Sequence, residues 1–157
     1  MTSISDLADI EAIKVLKARY MRYIDTKNWD GFASLFTDDA VFDIAIDLEG
    51  KDRSCDTDGY VALTREIVGD ATTVHQACMP EIEKTGRTTA RGTWAMWDYL
   101  DYHGAPGPLS GGGSVVQGYG HYHEEYRKED GEWRISSFSV SRLRLDEYPG
   151  PEAVLRG

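Results

Sequence analysis

Helix-type patterning fills this chain up to Gly69, broken by one short strand, and strand-type patterning fills almost everything after Asp70. That order constrains the fold more than any other feature. Ser5 is placed to cap a first helix whose apolar positions Leu7, Ile10, Ile13, Leu16, Tyr20 and Ile24 recur at the spacing of one buried helical face. Asn28 caps a second helix, with Trp29, Phe32 and Phe36 on one side, which Thr37-Asp38-Asp39 then stops. Val41 to Asp47 alternates, with Phe42, Ile44 and Ile46 on one face, and predicts a half-buried strand. After a polar loop from Lys51 to Asp58, Thr57 or Asp58 caps a third helix carrying Tyr60, Leu63, Thr64, Ile67 and Val68, and Gly69 ends it. The segments 72–84, 87–103, 115–128 and 133–145 are rich in Thr, Val, Trp and Tyr. Turn signals such as Thr85-Gly86 and Asp130-Gly131 separate them, so they predict four long antiparallel strands in a meander, with Gly104 to Ser114 as a loop.

Helices first and strands after, without regular alternation, means α+β: a cone-shaped roll in which three N-terminal helices pack on a strongly curved antiparallel sheet. Gly92, Gly118 and Gly120 stand where bulges would bend strands of this length, leaving a pocket at the wider end. A chain of 157 residues forms one such domain over 1–157. With 17 basic against 27 acidic residues, a formal net charge of -10 and no basic cluster, nucleic acid is excluded as a partner. Apolar runs are short and Met1 to Asp6 lacks the pattern of a secretory signal, so a cytoplasmic protein without a membrane partner is expected. Cys55 and Cys78 read as free thiols, Cys78 as a small core residue.

Within this frame a few side chains are suited to chemistry. His75 shares a strand face with Thr73, Ala77 and Met79; a hydrogen-bonded structural histidine and a proton-transferring one both fit that placement. Asp98 shares a face with Trp94, Met96 and Leu100, where a carboxylate needs a partner or turns to solvent near the strand end. Asp25 ends the first helix, and Tyr20, on the buried stripe, brings a hydroxyl that needs a polar neighbour. Tyr23, Trp94 and Tyr122 complete the expected binding wall. His121 and His123 have a spacing that can hold a metal, but no third ligand accompanies them, so no metal site is expected. Arg142 and Arg144 alternate with Leu143 and Leu145 and read as a solvated face.

The run Tyr23-Ile-Asp25-Thr-Lys-Asn-Trp-Asp30, the segment Leu35-Phe36-Thr-Asp-Asp-Ala-Val41, the strand bearing His75, and the hairpin from Tyr126 to Ile135 together resemble the SnoaL-like families of the nuclear-transport-factor-like superfamily. Asp25 and His75 fall where scytalone dehydratases, bile acid dehydratases and hexachlorocyclohexane dehydrochlorinases carry an aspartate and a histidine. Tyr20 and Asp98 fall where the bile acid type has a tyrosine and a second aspartate. The resemblance implies a cofactor-free dehydratase in which Asp25 and His75 are catalytic and remove a proton from a small cyclic, largely apolar substrate, with Tyr20, Tyr23, Trp94, Asp98 and Tyr122 binding it. It also implies a homodimer or homotrimer. Isomerases, polyketide cyclases and a non-catalytic binding or oxygenase small-subunit-like role share the fold and stay open.

Overall fold

The computed structural model describes residues 3–44, 54–108 and 111–149. The first helix, α1, runs over Ile4–Asp25 and begins two residues earlier than the sequence suggests. Ser3 is its cap: its hydroxyl accepts from the Asp6 N–H at 3.1 Å while the Asp6 carboxylate accepts from the Ser3 N–H at 2.9 Å. Ile13, Leu16, Tyr20 and Ile24 are buried as the periodicity predicts, but Leu7 is exposed and the buried place near it belongs to Asp9.

The second helix, α2, is only Trp29–Ala33, capped by Asn28 as expected. Phe36 is not its last apolar residue; it opens strand β1 (Phe36–Asp43), in which Thr37-Asp38-Asp39 is an irregular stretch and not a helix stop. The cause is backbone pairing: the Ile135 N–H donates to the Leu35 carbonyl at 2.9 Å and draws the chain alongside the last strand. Of the alternation predicted to Asp47, positions 45 to 47 lie outside the described residues. A two-residue strand, β2 (Ser54–Cys55), precedes α3 (Thr57–Val68), whose cap is Asp56, one residue before those predicted; its carboxylate accepts from the Gly59 N–H at 2.9 Å. Gly69 ends α3 at φ +42°, a conformation costly for any residue with a Cβ.

The meander then follows as β3 (Thr72–Lys84), β4 (Thr89–Asp101), β5 (Val115–Glu129) and β6 (Glu132–Tyr148), paired antiparallel in that order. The sheet order is β2-β1-β6-β5-β4-β3, and the β1–β6 junction is parallel, so the sheet is not antiparallel throughout. Register shifts occur at Cys78/Glu81 against β4, and at Tyr119/Gly120 and Glu125/Tyr126 between β5 and β6. Gly120 therefore stands at a bulge as expected, whereas Gly92 and Gly118 lie in regular pairing. Cys78 faces outward and is exposed, because it shares the outer strand face with Val74 and Gln76; it is not a core residue.

The core is an aromatic cluster closed between α1, α2, α3 and the concave sheet face. Tyr60 stacks on Phe42 with ring centroids 4.2 Å apart, and Phe32, Phe36, Tyr20 and Phe138 pack edge-on or stacked around them. Such rings supply large apolar burial together with hydroxyl groups that must be paired, and the packing delivers those hydroxyls to one end of the cone.

Candidate active site

A cavity opens where α1, α3 and the concave face meet. Its walls are mainly apolar, from Ile24, Leu63, Ile67, Met96, Val116 and Phe138, with Tyr20, Tyr60, His75, Asp98, Tyr122 and Arg142 as the polar interruptions. A small-molecule pocket has this character: apolar bulk with a few convergent polar groups.

Asp25 and His75 meet. Asp25 is the last residue of α1, where the chain turns away through Thr26 and Lys27, and His75 faces inward near the start of β3. His75 Nδ1 lies 2.7 Å from Asp25 Oδ1, and the carboxylate also accepts from the His75 backbone N–H at 3.0 Å and from the Thr73 hydroxyl at 2.9 Å. Burial pushes the Asp25 carboxyl up, but these bonds outweigh it and hold its pKa below the ordinary value. An anionic Asp25 fixes Nδ1 as the protonated nitrogen and leaves Nε2 free to act as a base. His75 lines the cavity and Asp25 stands behind it, the side chains being 10% and 23% exposed.

Asp98 is the direct cross-strand neighbour of His75 and is buried, not turned to solvent. Its Oδ2 accepts from Arg142 Nη1 at 3.0 Å, while its Oδ1 is buried without a hydrogen-bond partner among the described residues. A buried carboxylate oxygen left so calls for a donor. Arg142 is therefore not part of a solvated face; Arg144 is, paired outside with Asp146. The difference arises at a bulge in β6. Tyr119 pairs with Arg144 and Gly120 with Arg142, so Leu143 is left over, 74% exposed, and the alternation changes parity there. Arg142 and Leu145 then both reach the cavity, three residues apart on one strand.

Tyr20 and Tyr60 share a hydrogen bond of 2.5 Å between their hydroxyls. Burial first, then Tyr60, pushes the Tyr20 phenol well up, and burial with the Asp98 charge does the same to Tyr122. Both are neutral donors near neutral pH. Burial and Asp98 likewise push Tyr102, at the rim, up to about 12.

Two of the expected wall residues lie elsewhere. Trp94 is buried toward the narrow end with its indole N–H donating to the Tyr126 hydroxyl at 2.8 Å, and Tyr23 packs beneath the Arg22 guanidinium; neither lines the cavity. His121 and His123 are on the outer face, with His123 Nε2 at 2.8 Å from the Ser141 hydroxyl, and no group of three or more metal-ligating side chains exists among the described residues. His103 sits in an exposed turn, its Nε2 3.3 Å from the Thr72 hydroxyl.

Comparison with known proteins agrees with this architecture. A family profile described as a SnoaL-like domain matches residues 5–139. A Gibberella zeae protein named Probable cyclase FGR4 is 27% identical over 134 residues, spanning 81% of this chain and 86% of that protein. A candidate scytalone dehydratase from Novosphingobium aromaticivorans superposes with a TM-score of 0.78 at 19% identity, over 92% of this chain and 90% of that one. The hexachlorocyclohexane dehydrochlorinase LinA-type3 from Novosphingobium barchaimii gives 0.75 at 18% identity, over 94% of each. At such identities the structural likeness shows a shared fold.

Proposed function

The chain belongs to the SnoaL-like domain family, and on that premise we propose that it is a dehydratase whose own side chains supply the acid and base for eliminating water from a small cyclic, largely apolar hydroxy-carbonyl compound. The observation that carries the reading is the 2.7 Å contact of Asp25 with Nδ1 of a histidine on the cavity wall. His75 Nε2 takes the proton from the carbon next to the substrate carbonyl, and the anionic Asp25 stabilises the imidazolium that forms. Charge developing on the carbonyl oxygen is met by the Tyr20–Tyr60 hydroxyl pair. The substrate hydroxyl donates to the open Asp98 Oδ1 beside Arg142. It then leaves as water, carrying the proton that the imidazolium returns, while the carbon–oxygen bond breaks and a conjugated double bond forms.

A panel of cyclic β-hydroxy ketones, followed by the absorbance of the conjugated product, tests this directly. Turnover should fall at least about 100-fold in His75→Gln and in Asp25→Asn, the low end of what one positioned acid-base group contributes. Variants that keep the parent's rate on a substrate it turns over would refute the assignment.

The Gibberella zeae cyclase relative favours a second reading, an intramolecular aldol closure begun by the same proton removal. Acyclic polyketones converted to rings, with the cyclic hydroxy ketones untouched, would select it.

A further inference from the structure

On the far side of the aromatic layer from the cavity lies a charge that the reading above does not use. Lys17, on the buried stripe of α1, is 1% exposed and is ion-paired with Glu124 of β5, which is fully buried. Its ammonium sits 3.7 Å from the centre of the Tyr122 ring and 4.1 Å from that of Tyr20. Glu124 in turn accepts from the Tyr126 hydroxyl, which accepts from the Trp94 indole at 2.8 Å. The pair is thus held from the narrow end of the cone, and the cation rests on the faces of two rings that also line the cavity. Burying a lysine–glutamate pair gains little stability over apolar side chains of the same volume, so its location needs another explanation.

We propose that Lys17 is a positioning residue that acts through Tyr20 and Tyr122: its cation, held against the inner faces of both rings, strengthens their hydroxyls as donors to a negatively charged oxygen of the bound substrate. A cation over a phenol ring is attracted to its negative face and draws electron density from the hydroxyl. The effect grows as charge builds on the oxygen that the hydroxyl holds, and it is therefore larger for an enolate than for a ketone. Burial first, with Tyr60 beside Tyr20 and the Asp98 charge near Tyr122, drives both phenols away from ionisation, and a cation on the ring faces acts in the opposite sense. Glu124 opposes it through space, but its carboxylate is shared with the Tyr126 hydroxyl. The inference rests on the cavity being the substrate site, while its test needs no turnover.

The probes are 4-nitrophenolate and its uncharged counterpart nitrobenzene, bound to the intact protein and to the double variant Lys17→Gln with Glu124→Gln, which removes both charges together. The double variant Lys17→Met with Glu124→Leu serves where the first does not fold, and thermal melting establishes which is folded. The parent should prefer the phenolate, shifting its absorption band on binding, and the ratio of the two affinities should fall at least tenfold in the folded variant. An unchanged ratio, or a parent that binds nitrobenzene but shows no preference for phenolate, overturns the proposal while leaving the His75 assignment to its own kinetic test. A reduced ratio alongside a fully active His75→Gln enzyme would retain Lys17 as an anion-tuning residue and dispose of the proton-transfer reading instead.

Discussion

At position 118 the absence of a side chain is what admits the polar pair in the cavity. A Cβ built on Gly118 would lie 2.0 Å from Arg142 Nη1 and 2.1 Å from Asp98 Oδ1, the two groups that meet across it. Gly118→Ala should therefore displace the pair while leaving the sheet formed. The expected cost is about 1–3 kcal/mol of stability from overpacking and roughly 10- to 100-fold in turnover from misplaced groups, read by melting and by rate on the same substrate. A fully stable, fully active alanine variant would mean that Asp98 and Arg142 need not touch. The Asp25–His75 pairing was foreseen from the family resemblance: local features gave a helix that ends on a carboxylate and a strand whose alternation turns His75 inward, but not that the two would meet. Arg142 was not, because period-two alternation is broken by the bulge at Leu143, and a bulge has no reliable signal in one sequence. Lys17 and Glu124 had a signal that went unread. Lys17 falls on the same helical stripe as Ile13 and Tyr20, and Glu124 on the same strand face as Tyr122 and Tyr126. A charge on each of two buried faces suggests a pair.

Among the elements, α1 depends most on charge. Near its N-terminus Asp9 accepts from Lys128 Nζ and the Trp133 indole, each at 2.9 Å, and from Lys84 Nζ at 2.5 Å, tying the helix to β3, β5 and β6. Burial pushes the Asp9 carboxyl up, but these three donors outweigh it and hold its pKa far below the ordinary 3.8. A depressed folded-state pKa contributes stability that is fully present above the unfolded value and is lost as pH falls below it. The parent should thus weaken steeply between about pH 4 and pH 2, with Asp25 adding to the same slope. Asp9→Asn should be less stable near pH 7 by about 1–3 kcal/mol, the cost of leaving two half-buried ammonium groups without their carboxylate, and should lose less on acidification. Urea midpoints at the two pH values measure both effects; parallel pH profiles for parent and variant would contradict the account. Capping boundaries moved by one or two residues from their predicted places, as Ser3 and Asp56 show, because several neighbouring side chains qualify as caps and tertiary contact chooses among them.

For the molecule as a whole, the α+β cone followed from the order of helical and alternating patterns, and its meander strands were legible to within three residues at each end. The parallel joining of β1 to β6 was not, since it is a contact between distant segments that no local pattern records. The same fold that closes the aromatic core leaves a cavity between α1, α3 and the concave sheet face. Among the described residues no helix is long and apolar enough to cross a membrane. The central claim is that this cavity moves a proton by way of His75 and Asp25. Its most direct test is deuterium uptake from D2O at the carbon beside the carbonyl of the best-turned-over cyclic β-hydroxy ketone, followed by NMR. The parent should incorporate deuterium at that position, and His75→Gln should be slowed at least about 100-fold in both uptake and product formation. Exchange that persists at the parental rate without the imidazole would contradict the account.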